Sequence, residues 1–138
     1  MPTPPFVISL PTADRVRARD FYRDALGLES PGPIADDGVP EPLHFALGDG
    51  VVLMLIPTGG FGWVVGERPV AEPGTSECAL SFGAATDAEV DAVVERARAA
   101  GATVVTDPGA QPWGYAGSFA DPDGHLWMVT SAPFPPEG

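Results

Sequence analysis

The sequence predicts an α+β fold built from two copies of a βαβββ module, whose strands form a curved mixed sheet around a pocket. Three observations carry this. An Asp-Pro-Asp-Gly turn (Asp121–Gly124) lies between Phe119 and the apolar run Leu126–Val129. It reads as a β-hairpin, because Pro fixes φ, Asp bonds its own backbone and Gly accepts positive φ. The same shape occurs earlier, where Asp49-Gly50 separates Phe45–Leu47 from Val51–Met54, and 74 residues separate Gly50 from Gly124 and Met54 from Met128. Gly27 and Gly101, also 74 apart, each stand where a helix with an apolar stripe stops, the place a C-cap favours Gly. One interval shared by turn, strand and cap marks an internal repeat.

Taken in order, Met1–Pro5 is an extended lead-in and Phe6–Leu10 the first strand. Alternation puts Val7 and Ser9 on one face and Phe6, Ile8 and Leu10 on the other. A helix around Asp14–Leu26 follows, with Ala18, Phe21, Tyr22, Ala25 and Leu26 as its apolar stripe. It packs on the Ile8/Leu10 face. Ser30–Pro42, rich in Pro, Gly and Asp, is a loop beside a weak second strand, and Leu43–Leu47 and Val51–Ile56 complete the first module. Residues 57–75 form an irregular connector holding Phe61, Trp63, Val64 and Val65 among glycines and prolines.

The second module opens with a strand at Ala79–Phe82. Its helix, around Asp87–Ala100, begins with a capping box in which Thr86 and Glu89 satisfy each other's free amides. Val90, Val93, Val94 and Ala97 are its buried stripe. Ala102–Val105 is the next strand, then a loop through Pro108, Pro112 and Trp113, then strands at Tyr115–Phe119 and His125–Thr130 and a proline-rich tail from Pro133 to Gly138. The expectation is one domain over residues 1–138, with module one at about 6–56 and module two at about 76–131.

The two modules, the Arg-Asp-Phe-Tyr-Arg-Asp-Ala-Leu-Gly-Leu run at Arg19–Leu28 and the closing Asp-Pro-Asp-Gly-His-Leu-Trp at Asp121–Trp127 resemble the vicinal oxygen chelate superfamily. That family includes glyoxalase I, the extradiol dioxygenases, fosfomycin-resistance enzymes and bleomycin-binding resistance proteins. The resemblance spans about Phe6 to Val129. It implies the glyoxalase/bleomycin-resistance fold, and it leaves function open, because the fold hosts both enzymes and pure binders. It also implies a homodimer with pockets at the interface.

Composition narrows the classes. A chain of 138 residues, 44% hydrophobic, is long enough for one core. A net charge of −12 excludes a nucleic-acid partner, which needs a basic surface. All seven basic residues are Arg, so lysine Schiff-base chemistry is excluded. Four of them (Arg15, Arg17, Arg19, Arg23) alternate with Asp on the first helix, the pattern of a solvated face. The single Cys78 cannot form an internal disulfide. With no charged start before a long apolar run, the reading is a cytoplasmic protein without a membrane partner.

In the metal enzymes of the family, matching strands of the two modules hold a divalent ion. Here the resemblance places those ligand positions on Val7, Met54, Ala79 (with Cys78 beside it) and Met128. None offers the oxygen or nitrogen donor that Mg²⁺, Mn²⁺ or Zn²⁺ requires. The expected metal set is therefore empty and no cofactor is expected. His125 reads as a turn histidine bonded to backbone, and Cys78 as a small core residue.

Apolar side chains at these positions turn the hollow into a hydrophobic, aromatic pocket. Alternation puts Val7, Ser9, Val52, Met54, Leu126 and Met128 on the inner faces, and Trp63, Trp113 and Tyr115 are expected at the mouth. The candidate ligand-binding residues are Ser9, His44, Met54, Trp63, Trp113, Tyr115 and Met128, with Ser118 and Thr130 as further polar contacts. The sequence thus predicts a metal-free binder of an aromatic or hydrophobic small molecule, resembling the bleomycin-resistance branch and serving drug or metabolite sequestration. The alternative is a glyoxalase-like enzyme of lyase, isomerase or dioxygenase type, metal-independent or with an atypical site. Its acid or base would be His44, Tyr115 or a carboxylate at the pocket mouth.

Overall fold

The computed structural model describes residues 1–134. The tail from 135 to 138 lies outside the described residues. The elements run β1 (Phe6–Thr12), α1 (Arg15–Leu26), β2 (Leu43–Gly48), β3 (Val51–Pro57), α2 (Thr58–Val64), β4 (Ala79–Gly83), α3 (Asp87–Ala99), β5 (Thr103–Gln111), β6 (Gly114–Ala120) and β7 (Leu126–Thr130). They form a three-stranded sheet of order β1-β3-β2 and a four-stranded sheet of order β4-β7-β6-β5. The repeat is visible in the pairing. In each half the strand before the helix lies parallel to the last strand of that half, β1 on β3 and β4 on β7, and the remaining pairs are antiparallel.

Helix α1 starts where the Asp14 carboxylate accepts the Arg17 N–H at 3.0 Å. It stops at Gly27, whose φ of +67° is the left-handed cap conformation and whose N–H returns to the Arg23 carbonyl. Helix α3 starts on Thr86, whose Oγ1 accepts the Glu89 N–H at 3.1 Å. The reciprocal bond differs from the capping-box expectation: the Glu89 carboxylate takes the Ala85 N–H at 2.9 Å, one residue earlier than the cap. The two helices lie together and contribute Ala18, Phe21, Tyr22 and Ala25 from one side and Val90, Val93, Val94 and Ala97 from the other.

Both sheets turn one face to this helical layer. Leu43, Phe45, Leu53 and Leu55 come from the first sheet, and Phe119, Trp127 and Val129 from the second, all in one continuous buried cluster. Tyr22 sits at its centre, its ring 5.1 Å from Phe21, 5.3 Å from Phe45 and 5.8 Å from Trp127. One aromatic side chain of α1 therefore touches both halves of the chain.

Four regions depart from expectation. The weak second strand is a single bridge between Ile34 and Pro40, and the loop around it is held by a side chain instead of a ladder. Arg15 donates to the carbonyls of Val39 and Pro40 at 3.1 and 2.9 Å and pairs with Asp37 at 2.9 Å. Arg15 is thus a structural clamp rather than part of a solvated charge face, and its guanidinium holds the Asp37 carboxyl below its ordinary range. The connector begins with α2, a turn of helix that glycine content argues against; burial of Phe61 anchors it. Strand β5 continues to Gln111 through Asp107-Pro108-Gly109. It is an edge strand whose pairing with β6 slips between Val104 and Thr106 and again between Thr106 and Gly109, and a bulged edge is where a strand tolerates proline.

Two glycines test these turns. Gly27 has open space around a would-be Cβ, so Gly27→Ala meets only the cost of positive φ, about 1 kcal/mol. Gly124, at φ +89°, would place a Cβ 2.9 Å from the Gly74 nitrogen and 3.2 Å from the Pro73 Cα. Gly124→Ala should therefore cost roughly 3 kcal/mol, combining strain with overlap. Urea unfolding midpoints of the two variants check this order; equal losses would mean that the connector yields freely at Pro73-Gly74.

Candidate functional site

The register fixes which side chains share the faces that the helices leave uncovered. In the first sheet Val7 pairs with Val52, and Met54 pairs with both Ser9 and His44. Paired residues point the same way, so Val7, Ser9, His44, Val52 and Met54 share the face opposite the buried Phe45 and Leu53. Val7 is 46% exposed and the other four are half-buried. In the second sheet Met128 lies between Ser81 and Ser118, and Leu126 between Ala79 and Ala120, opposite the buried Trp127 and Val129. The four positions at which the family resemblance implies metal ligands, Val7, Met54, Ala79 and Met128, all stand on these uncovered faces. With that donor set the residues do not fit a divalent metal.

Of the seven nominated residues, the structure brings Ser9, His44 and Met54 together on the first sheet and puts Met128 on the corresponding face of the second. The aromatics lie elsewhere. Trp63 is 81% exposed on α2, and Trp113 is 56% exposed at the tip of the β5–β6 hairpin. Tyr115 falls on the helix side of β6, in phase with Phe119, and its hydroxyl donates to Asp91 of α3 at 2.6 Å. That bond raises the Tyr115 phenol above its ordinary value. Thr130 donates its hydroxyl to the Tyr115 carbonyl at 2.8 Å. His44 Nδ1 lies 3.0 Å from the Pro42 carbonyl; a carbonyl only accepts, so Nδ1 is the donor of this bond.

Among the described residues one group of potential metal ligands converges, Asp121, Asp123 and His125, with ligand atoms within 4.8 Å of one another. Each is already engaged. Asp121 Oδ1 accepts the N–H groups of Asp123 and His125 at 2.9 and 2.8 Å, and Oδ2 accepts the Tyr22 hydroxyl at 2.5 Å. Trp127 Nε1 donates to Tyr22 at 3.0 Å. Asp123 accepts from the Thr12 hydroxyl at 2.7 Å and the Ala13 N–H at 2.9 Å, and His125 Nε2 donates to the Pro11 carbonyl at 2.7 Å. These bonds tie the β6–β7 turn to the β1–α1 corner. Burial pushes the Asp121 carboxyl above its ordinary value, against the Tyr22 bond that favours its charge, and burial next to Asp121 pushes the Tyr22 phenol well up.

A cavity of about 450 Å³ opens between the connector and this turn. Its apolar wall includes Leu10, Phe61, Val65, Val70, Leu80 and Leu126, and none of the seven nominated residues lines it. Of the residues weighed from sequence, Leu126, His125 and Cys78 reach it along with Leu10, Phe61 and Val65, and Cys78 is exposed. The one signal for it in the sequence is the set of apolar residues on a Gly/Pro-rich connector. Among the described residues no helix is long and apolar enough to cross a membrane.

Asp121 supplies a test with a defined sign. Its folded value lies above the ordinary 3.8, so the folded state binds this proton more readily than the unfolded one. The contribution is fully present below the unfolded value and is lost as pH rises through the folded one. The stability of the wild type relative to Asp121→Asn should therefore rise between pH 7 and pH 4 in paired urea titrations. A flat difference would mean that Asp121 is not desolvated. Tyr22→Phe, which strands Asp121 Oδ2 and Trp127 Nε1, should cost roughly 2–3 kcal/mol at neutral pH.

The sequence matches the family model of the Glyoxalase/Bleomycin resistance protein/Dioxygenase superfamily over residues 6–129, and the chain belongs to that superfamily. Among solved structures it is similar to a glyoxalase-related enzyme from Fulvimarina pelagi (29% identity, 90% of this chain and 84% of that one, TM-score 0.77). It is also similar to the hypothetical protein SA1046 from S. aureus (28% identity, 88% of each chain, TM-score 0.74). A third similar structure is TnmS3, an antibiotic binding protein from Streptomyces sp. CB03234 (26% identity, 90% of this chain and 91% of that one, TM-score 0.60). No curated protein matches the sequence.

Proposed function

We propose that this superfamily member is a metal-free small-molecule-binding protein of the cytoplasm, taking an aromatic or hydrophobic compound and serving drug or metabolite sequestration. The observation that carries the reading is the donor set. Val7, Met54, Ala79 and Met128 occupy the ligand positions implied by the family resemblance, and their side chains offer packing surface in place of coordination. Ser9 and His44 beside Met54, and Ser81 and Ser118 beside Met128, supply the few polar groups that orient a ligand in an otherwise apolar site. The likeness to an antibiotic binding protein agrees with this.

The chain acts in this reading as one domain and as a homodimer. Uncovered faces holding Val7, Leu126 and the two methionines gain most when a second copy closes over them, and exposed Trp63 and Trp113 are rigid contacts for ligand or partner. Tyr115 is not carried into the site, because Asp91 already holds its hydroxyl.

A second reading rests on His44. Its Nδ1 is engaged by the Pro42 carbonyl and it stands beside Met54, so a metal-independent enzyme would use its Nε2 as the base. The likeness to a glyoxalase-related enzyme belongs with this reading.

Tryptophan fluorescence of chelator-treated protein, titrated with planar natural products and aldehydes, separates the two. Binding should saturate without metal, the compound should be recovered unchanged, and Met54→Asp should weaken it by about tenfold or more, as expected for a buried charge against an apolar ligand. Turnover that disappears in His44→Gln while binding persists would replace the first reading with the second. Turnover that requires added metal would defeat both. Light scattering should give twice the chain mass.

A further inference from the structure

The cavity between the connector and the Asp121–Gly124 turn meets the proposed ligand faces only at Leu126. Val7, Met54, Ala79 and Met128 do not line it; its wall comes instead from the end of β1, from α2 and the connector, and from the starts of β4 and β7. At about 450 Å³ it is large enough for a compound of two fused rings. Leu10, Phe61, Val65, Val70, Leu80 and Leu126 make it apolar over most of its area.

The charged groups around it have one sign. Glu72, Glu77 and Asp123 line the cavity and no Lys or Arg does. Asp123 is already satisfied: it accepts from Thr12 and Ala13, and the Arg17 guanidinium lies 3.7 Å away. His125, the other titratable ring there, spends its Nε2 proton on the Pro11 carbonyl. Glu72 and Glu77 form no ion pair among the described residues, although Arg15, Arg17, Arg19, Arg23 and Arg98 all do. An apolar pocket bordered by two unpaired carboxylates, with an aromatic ring in its wall, is complementary to an apolar body bearing one positive charge.

We propose that this cavity is a second binding site, distinct from the implied ligand positions on the sheet faces, for a small hydrophobic amine in its protonated form. The amine's ring system fills the space between Phe61, Val70 and Leu126, and its ammonium group faces Glu72 and Glu77. The selectivity comes from charge, because a neutral isostere fills the same volume and an anionic one meets two carboxylates.

Cys78, the only cysteine of the chain, lines the cavity and so reports its occupancy. The experiment uses three probes of one shape, 1-naphthylmethylamine, 1-naphthylmethanol and 1-naphthoate, with calorimetry for affinity and iodoacetamide alkylation of Cys78 for location. The amine should bind once per chain and slow alkylation in proportion to saturation. The alcohol should bind about tenfold more weakly, the effect of one favourable charge interaction at a partly solvated site, and the acid should not bind. The pair Glu72→Gln and Glu77→Gln should bring the amine to the affinity of the alcohol, and Val70→Trp, which fills the space, should abolish protection of Cys78.

Three results would overturn the proposal. The first is equal affinity for amine and alcohol. The second is full alkylation of Cys78 at saturating amine. The third is the same loss on neutralising Asp36 and Asp49, two carboxylates that do not line the cavity, because that would assign the preference to the overall charge of −12. Met54 and Met128 do not line the cavity, so loss of ligand binding in Met54→Asp would leave all three outcomes unaltered, and this site and the proposed function fail separately.

Discussion

A buried carboxylate holds the two halves of this chain in register. Asp121 closes its own turn by accepting two backbone N–H groups and reaches across to the Tyr22 hydroxyl, which Trp127 also contacts. Asp123 and His125 extend the tie to Thr12, Ala13 and Pro11. Burial opposes the charge on Asp121, so the network offsets a penalty as much as it adds stability. Its main effect is positional. It sets the β1–α1 corner against the β6–β7 turn, and this orders the sheets whose outer faces carry the candidate ligand residues. The aromatic packing of Tyr22 on Phe21, Phe45 and Trp127 supplies the apolar part of the same junction.

Much of the fold was legible because the repeat is written in residues with strict backbone requirements. Gly27, Gly50, Gly101 and Gly124 all adopt positive φ, so a spacing of 74 between them records geometry directly. Where tertiary contact overrides local preference, the reading failed. Glycines at 59, 60 and 62 speak against a helix, yet Phe61 finds a buried seat and α2 forms. Asp107-Pro108-Gly109 looks like a turn, yet an edge strand absorbs it in a bulge. Arg15 looks like its neighbours Arg17, Arg19 and Arg23, and only the fold brings Val39 and Pro40 within its reach.

The site divides the same way. Alternation was enough to put Ser9 and Met54, and Leu126 and Met128, on uncovered faces, because strand parity is a local property. It was not applied to Tyr115, whose phase with Phe119 sends it under α3 to Asp91. Trp63 and Trp113 stand on a short helix and a hairpin tip, where parity says nothing about direction. The connector cavity left only a faint trace, the apolar residues of the connector. Leu10, Val70 and Leu126 are distant in the chain, and only the Asp121–Gly124 turn resting on Pro73 and Gly74 brings them around one space.

The bonds that join the halves are drawn from the turn, from α1 and α3 and from the end of β1. Ser9, His44, Met54, Ala79 and Met128 contribute nothing to them, and His44 bonds only within its own half. The candidate ligand positions and the bonds that assemble the halves therefore fall on different residues. Substitutions on the uncovered faces leave the bonds that assemble the halves in place. The turn, the caps and the central tyrosine thus fix how the halves meet, whatever side chains the uncovered faces carry.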